Sequence, residues 1–384
     1  MGTTRTRVVV AEFIKGEKNP KIIGVGESQT MGVRHGYIIN VPEASTSLKN
    51  ALASAEKSSG TRIKRACIAI DSSTLRGVIG VGSVIISKAD GEVTELDIRK
   101  VIEEGENNLR LNNKKVLKAF PLSYKLDGKE IIERPEGLRG AKLEAKILYI
   151  TCSLQHFEDL IEVITLCGVE PTDIIPSALA GSAIALSEKQ KIVGSALVDI
   201  GSETVSLAVF ENGSLVHLHT FALGSEDITN DIALGLRISL EKAESLKTGN
   251  FPSGQSASAA EYPKKKLDDI IEARLIDIFE LIENHLKKIK RNELLPAGIV
   301  FTGGGSNTPR LEELSKSTLK LPSRVGTTDM FENVKTKLRD PSWFTVLGLL
   351  MPSDDDENYE SDSLRGMFVN LKKTLKTSLK QLMP

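Results

Sequence analysis

Across 384 residues, 40% are hydrophobic, and 50 Lys or Arg stand against 51 Asp or Glu for a net charge of −1. That apolar content suits two or more packed domains, and the balanced charge excludes an overall basic field for nucleic acid. Cys67, Cys152 and Cys167 lack metal-ligand spacing and fit free thiols in a reducing cytoplasm better than a disulfide framework, and no run nears the ~18 apolar residues of a membrane span.

In chain order, residues 1–12 (MGTTRTRVVVAE) come first, and they align without a gap to residues 200–211 (IGSETVSLAVFE). Each copy is a Gly, then hydroxyl residues, then an apolar strand. Gly accepts positive φ and hydroxyls add donors, so a strand, a tight Gly turn and a returning strand gather backbone N–H groups around one point. That point is a seat for phosphate. The second copy carries its incoming strand, Ala196-Leu-Val-Asp-Ile, whose Asp199 is placed to hold Mg²⁺ through water. One hairpin in each half predicts a two-lobed nucleotide clamp. Residues 1–6 also fit the loose N-myristoylation pattern, but the repeat accounts for them better.

A turn over residues 15–20 leads to the strand Ile22-Ile-Gly-Val-Gly. In residues 42–58, Ala44, Leu48, Ala51, Leu52 and Ala55 recur at helical spacing, and Gly60 stops the helix. Residues 65–71 (RACIAID) read as a buried strand. From 72 to 145 the texture changes to short strands, a helix over 96–109 and turns at Asp127-Gly128 and Pro135-Glu-Gly, followed by a buried strand over 146–151. This block reads as an inserted subdomain. A helix over 154–167, a strand over 169–176 and a helix over 177–186 close the first half.

The second half continues from its hairpin through helices in 225–248, a Pro/Gly/Ser loop at 251–258 and a long helix over 266–291. A buried strand then ends in Gly303, Gly304 and Gly305 and leads into a helix with Leu311, Leu314 and Leu319. Strand, Gly-rich turn and helix N-terminus let a ligand approach the backbone closely. Alone, three glycines describe a tight turn more often than a ligand site. His217 and His219 share one face of a predicted strand with no third metal ligand spaced to join them, so they read as surface residues. Trp343 reads as helix core.

Residues 353–362 hold six acids in ten positions and read as a flexible acidic tether. Beyond it, Leu364, Met367, Phe368, Leu371, Leu375, Leu379 and Leu382 fall at steps of three and four. Arg365, Lys372, Lys373, Lys376 and Lys380 fill much of the remainder. Such a helix is too charged to span a bilayer and suits an anionic membrane interface. A helix packed on its own domain or on a partner protein is the plainer alternative, and the lack of acids after Asp362 argues against it. One copy binds lipid reversibly, and copies joined in a polymer bind far more tightly through effective concentration.

The order of hairpin, insertion, hairpin, helices and Gly-Gly-Gly resembles the α/β actin/heat-shock-chaperone/sugar-kinase fold, with two ribonuclease H-like lobes. Within it, the chain resembles the bacterial division protein family FtsA. The carrying residues are Ile23-Gly-Val-Gly-Glu-Ser with Gly32-Val-Arg-His-Gly-Tyr-Ile, Tyr149-Ile-Thr-Cys-Ser, Ile228-Thr-Asn-Asp-Ile-Ala-Leu-Gly-Leu, Ala243-Glu-Ser-Leu-Lys, and Gly298-Ile-Val-Phe-Thr-Gly-Gly-Gly. The resemblance implies a first lobe core (subdomain 1A) from residues 1–71, 150–186 and 339–351, with an FtsA-type subdomain 1C inserted at 72–149. It implies a second lobe core (2A) from 187–225 and 297–338, a subdomain 2B at 226–296, an acidic linker at 352–362 and a membrane-targeting amphipathic helix at 363–384.

It further implies ATP with Mg²⁺. Gly2, Thr3, Thr4, Gly201, Ser202, Glu203 and Thr204 would surround the phosphates. Gly303, Gly304 and Gly305 would line the adenosine pocket. Glu244 and Lys247 would contact ribose and adenine, where charge pattern alone makes them a solvated helix face. The implied protein polymerises with itself, receives the FtsZ tail on 2B and other divisome proteins on 1C. It would lie on the cytoplasmic side of the cell membrane at the division site.

Three departures stand out. The family's first strand and the acid before Gly2 are absent, so the first lobe lacks a strand that would be central to its sheet, and the sequence does not tell whether the native start lies upstream. The second hairpin reads Asp-Ile-Gly-Ser-Glu-Thr where Asp-Ile-Gly-Gly-Gly-Thr is usual, so Glu203 brings a carboxylate close to the phosphates. The acid usual two positions after Thr204 is Ser206. Together these favour ATP binding over efficient hydrolysis, with no general base identified. A pilus-assembly adaptor like PilM is the alternative within the fold. A small-molecule kinase would need a catalytic Asp in the first lobe, and Asp71, the nearest candidate, reads as a strand-end turn residue.

Overall fold

The chain begins with an antiparallel pair, β1 (Arg5–Glu12) and β2 (Lys21–Gln29), in register from Arg5↔Gln29 to Glu12↔Lys21 with one bulge at Val10/Ala11. A computed structural model describes residues 1–16, 19–249, 263–331 and 336–351. The expected loop at 251–258, acidic tether and membrane-facing helix lie outside the described residues.

A small ladder of β3 (Val33–Arg34) and β4 (Tyr37–Ile38) leads into α1 (Val41–Ser59). The Glu43 N–H donates to the Asn40 side chain at 3.2 Å to start that helix, and Gly60 at φ 68° ends it. Helix α1 lies close on β2. A Cβ at Gly26 would stand 2.0 Å from the Ala51 carbonyl, so the contact requires glycine. Next, among the described residues β5 (Arg65–Ile70) pairs with a later parallel strand on one edge alone, and it is half-buried rather than buried.

The block expected as an insertion contains β6 (Arg76–Ile85), α2 (Glu95–Asn108), β7 (Lys114–Leu126), β8 (Lys129–Ile131) and β9 (Lys142–Ser153). Its main strands run 10, 13 and 12 residues, longer than the short strands expected. Long antiparallel ladders explain the length: β6 and β9 pair without a shift from Arg76↔Thr151 to Ile85↔Lys142. Asp127 and Gly128, with φ 52° and 81°, turn β7 into β8 in the positive-φ conformation that a two-residue hairpin favours. A Cβ at Gly82 would lie 1.8 Å from the Val101 carbonyl, which fixes α2 tightly over β6.

Helix α3 (Leu154–Leu166) crosses to β10 (Glu170–Pro176), the parallel partner of β5, and α4 (Ser177–Ala185) and α5 (Glu188–Val193) follow. The second half comprises β11 (Ser195–Ile200), β12 (Val205–Glu211), β13 (Ser214–Phe221), α6 (Ser225–Leu236), α7 (Leu240–Thr248), α8 (Lys264–Lys288), β14 (Ile299–Thr302), α9 (Leu311–Leu319) and β15 (Ser323–Val325). The described chain closes with α10 (Phe344–Gly348), just after the buried Trp343.

Strand order β15-β14-β11-β12-β13-β6-β9-β7-β8 makes one nine-stranded sheet. Among the described residues, the inserted block joins the second half's sheet through the ladder pair His219↔Arg76, with Thr220 N–H donating to the Leu75 carbonyl at 3.1 Å beside it. Strands β11, β12 and β14 are buried along almost their whole length, as their near-continuous apolar sequences require. Their apolar side chains pack with Ile271, Leu275, Ile278, Phe279 and Ile282 of α8.

Candidate functional site

The repeat recognised in the sequence recurs as one hydrogen bond. Gly2 N–H donates to the Arg5 carbonyl at 3.0 Å, and Gly201 N–H donates to the Thr204 carbonyl at 2.8 Å. These are equivalent positions of the two aligned segments, so both turns close in the same way. Strand β1 leaves the first turn as β12 leaves the second. The first turn is tied down by Thr30 N–H on the Thr4 carbonyl at 3.0 Å. The second is tied by the first turn of α6, whose Ser225 and Glu226 N–H groups donate to the Gly201 and Ser202 carbonyls at 2.9 and 2.8 Å.

Side chains of the second turn have partners inside the protein. Ser202 Oγ donates to Glu226 Oε2 at 2.9 Å, and Thr204 Oγ1 donates to Asp71 Oδ2 at 3.0 Å. Glu203 does not stand alone: its Oε2 accepts the His35 N–H at 2.6 Å and its Oε1 pairs with Arg34 at 3.0 Å.

Two carboxylates mark the floor of the cleft. Asp199, at the end of β11, accepts from Thr345 Oγ1 at 3.1 Å, and its pKa is pushed up to about 7 by burial first and by the charge of Asp71 second. Asp71 follows β5 and is more than a turn residue. It accepts from Thr204, Ser206 at 2.9 Å and Thr220 at 3.4 Å, and burial still raises its pKa against those hydrogen bonds.

Gly303 meets the same floor from β14. At φ 82°, its Cβ would stand 2.2 Å from Asp199 Oδ1 and 2.4 Å from the Ile200 carbonyl. Gly305 packs as closely on the Ile200 side chain, while a Cβ at Gly304 would meet only the Ser342 Cβ, at an ordinary contact distance of 4.0 Å. The glycines thus bring the end of β14 against the end of β11, where Asp199 and Thr302 pair in register.

Glu244 and Lys247 lie on α7. Lys247 is buried, not on a solvated face, and its ammonium reaches Glu244 Oε2 at 2.6 Å, Thr229 Oγ1 at 2.8 Å and the Ser225 carbonyl at 3.0 Å. Those three contacts use its three protons, so Lys247 as it stands anchors α7 to α6. The Glu244 side chain is half exposed and retains a free face.

His217 and His219 are half-buried and pack against α8 rather than standing open to solvent. His285 of α8 bonds His217, Nε2 to Nε2, at 2.7 Å and stacks on His219 with ring centres 4.2 Å apart. Among the described residues no group of three His, Cys, Asp or Glu is arranged to hold a metal ion. The contact spans 68 residues, and nothing in the local spacing announces it. Arg34, His35 and Asp71 were missed as site residues for the same reason.

Matched turns at the meeting of two α/β halves define a protein of the two-lobed actin-like class. The solved PilM-PilN type IV pilus biogenesis complex is similar over 91% of this chain and 96% of the matched chain, with a TM-score of 0.67 at 16% identity. The ethanolamine utilization protein EutJ from Carboxydothermus hydrogenoformans is similar over 91% and 86%, with a TM-score of 0.53 at 15% identity. These likenesses establish the fold. The model of the cell division protein FtsA matches residues 196–348, and that of the SHS2 domain inserted in FtsA matches residues 72–151. The cell division protein FtsA of Bacillus subtilis is 30% identical over 91% of this chain and 81% of its own length, and that of Pseudomonas aeruginosa 29% over 91% and 87%. The chain belongs to the FtsA family of cell-division proteins.

Proposed function

We propose that this protein binds Mg·ATP between its lobes, assembles with itself, and tethers FtsZ filaments to the inner face of the cytoplasmic membrane at the division site. The observation that carries the reading is family membership over nine-tenths of the chain, with the inserted SHS2 domain included. The PilM-like alternative has fold alone in its favour. The proposed partition is 1A from residues 1–71, 150–186 and 339–351, 1C at 72–149, 2A from 187–225 and 297–338, and 2B at 226–296.

Geometry supports the nucleotide part. Both turns present the same Gly N–H closure, and Gly303 keeps the cleft floor free of a Cβ beside Asp199. The turns at 2–4 and 201–204 would cradle phosphates, Asp199 would hold Mg²⁺ through water, and Gly304, Gly305 and the free face of Glu244 would meet the nucleoside. Bound Mg·ATP would supply the negative charge and the divalent cation that the two turns share, and its presence would bias the surfaces used in the polymer. FtsZ would dock on 2B, other divisome proteins on 1C, and the basic amphipathic helix at 363–384 on anionic lipid.

Sedimentation with anionic liposomes tests the tether, using the full chain and one ending at Asp362, each with FtsZ and with or without ATP. The full chain should carry FtsZ into the pellet, and the shortened chain should leave it in solution. Equal pelleting by both chains would defeat the reading.

A further inference from the structure

Two carboxylates join the second turn to the first half, one reaching out from the turn and one reaching into it. Glu203 of the second half reaches the first, where the His35 N–H donates to Oε2 at 2.6 Å and Arg34 pairs with Oε1 at 3.0 Å. Asp71 of the first half reaches the second, where Thr204, Ser206 and Thr220 donate to it. His35 Nδ1 also lies 3.2 Å from the Glu203 carbonyl oxygen. The junction is close-packed: Gly36, at φ 79°, sits where a Cβ would be 2.6 Å from the Asp71 carbonyl. The Glu203 side chain is only 7% exposed, so its charge is compensated by those donors rather than by water.

We propose that Glu203 is a built-in latch: its carboxylate takes the place of a bridging anion between the lobes, so the cleft closes on Arg34 and His35 without nucleotide. A Gly at this position has no side chain to cross the cleft, and closure then depends on whatever anion the cleft holds. The latch rests on the two-lobed geometry and stands apart from the nucleotide reading. If Mg·ATP does bind, it adds little to a closure that already exists.

Hydrogen exchange at the His35 amide and a spin-label distance across the cleft, both without nucleotide, test this. In the native chain the His35 amide is protected and the distance is short and single. Glu203→Ala and Arg34→Glu should each speed His35 exchange at least about tenfold and add a longer distance. The reciprocal pair Arg34→Glu with Glu203→Arg should restore the short distance, which a variant that had merely lost its fold would not do. Unchanged exchange and distance in both single variants would overturn the latch, as would a native chain that closes only when Mg·ATP is added. A Mg·ATP titration separates the two ideas: failure of every chain to bind counts against the nucleotide reading, while His35 exchange still decides the latch.

Discussion

At Gly303 an added methyl group would collide with Asp199 and with the Ile200 carbonyl, and the backbone lies at a φ that L side chains rarely adopt. Gly303→Ala should therefore cost more than about 2 kcal/mol and abolish ligand binding in the cleft, read by urea unfolding and by calorimetric titration with Mg·ATP. Asp71 makes a contrasting case. Its pKa is raised by burial, and three hydroxyls donate to its two oxygens. Asp71→Asn keeps one acceptor oxygen and should cost less than Asp71→Ala, which leaves buried hydroxyls without an acceptor and should cost roughly 2–3 kcal/mol in the same unfolding experiment. A loss from Asn as large as that from Ala would refute the argument from the acceptor oxygens. The repeat of 1–12 in 200–211 made the two turns legible, because both halves use Gly and hydroxyls locally. Asp71 and Glu203 were not legible as bridges. Their partners lie 133 and 168 residues away, beyond the reach of any periodicity.

Elements were more legible than contacts between them. Helix α1 announced itself through the spacing of Ala44, Leu48, Ala51, Leu52 and Ala55 and through Gly60, all of which fill the roles their chemistry dictates. The spacing said nothing of how α8 meets β13, because a half-apolar helix face is satisfied by many neighbours. That contact places three histidines together, and burial, then mutual repulsion, lowers His217 and His219 to about 4. Burial lowers His285 as well, with Lys288 adding to it, and Arg76 adds to the positive field on His219. Between the unfolded value of ~6.5 and about 4 the unfolded chain binds more protons than the folded one, so stability falls as pH drops through that window. The loss should be on the order of 2–4 kcal/mol for the coupled cluster, and His285→Phe should flatten it in unfolding curves taken between pH 7 and ~4.5. An equally steep loss in His285→Phe would place its source elsewhere. Leu275, fully buried in α8, offers a plain check on the same packing: Leu275→Ala should cost about 2–5 kcal/mol.

For the whole molecule, the nine-stranded sheet links the inserted block to the second half, and the carboxylate bridges link the first half to the second. The two-lobed plan was readable because each half carries its own glycine turn. The join at His219↔Arg76 was not, since neither residue's neighbours in sequence signal it. The central claim is that the two turns act as one seat for a single anionic ligand. Hydrogen exchange over residues 2–5 and 201–204, measured on the full chain with and without Mg·ATP, tests that claim most directly. The account predicts that ATP protects both turns together with a shared concentration dependence. Protection of one turn alone, or of neither at saturating ATP, would contradict it.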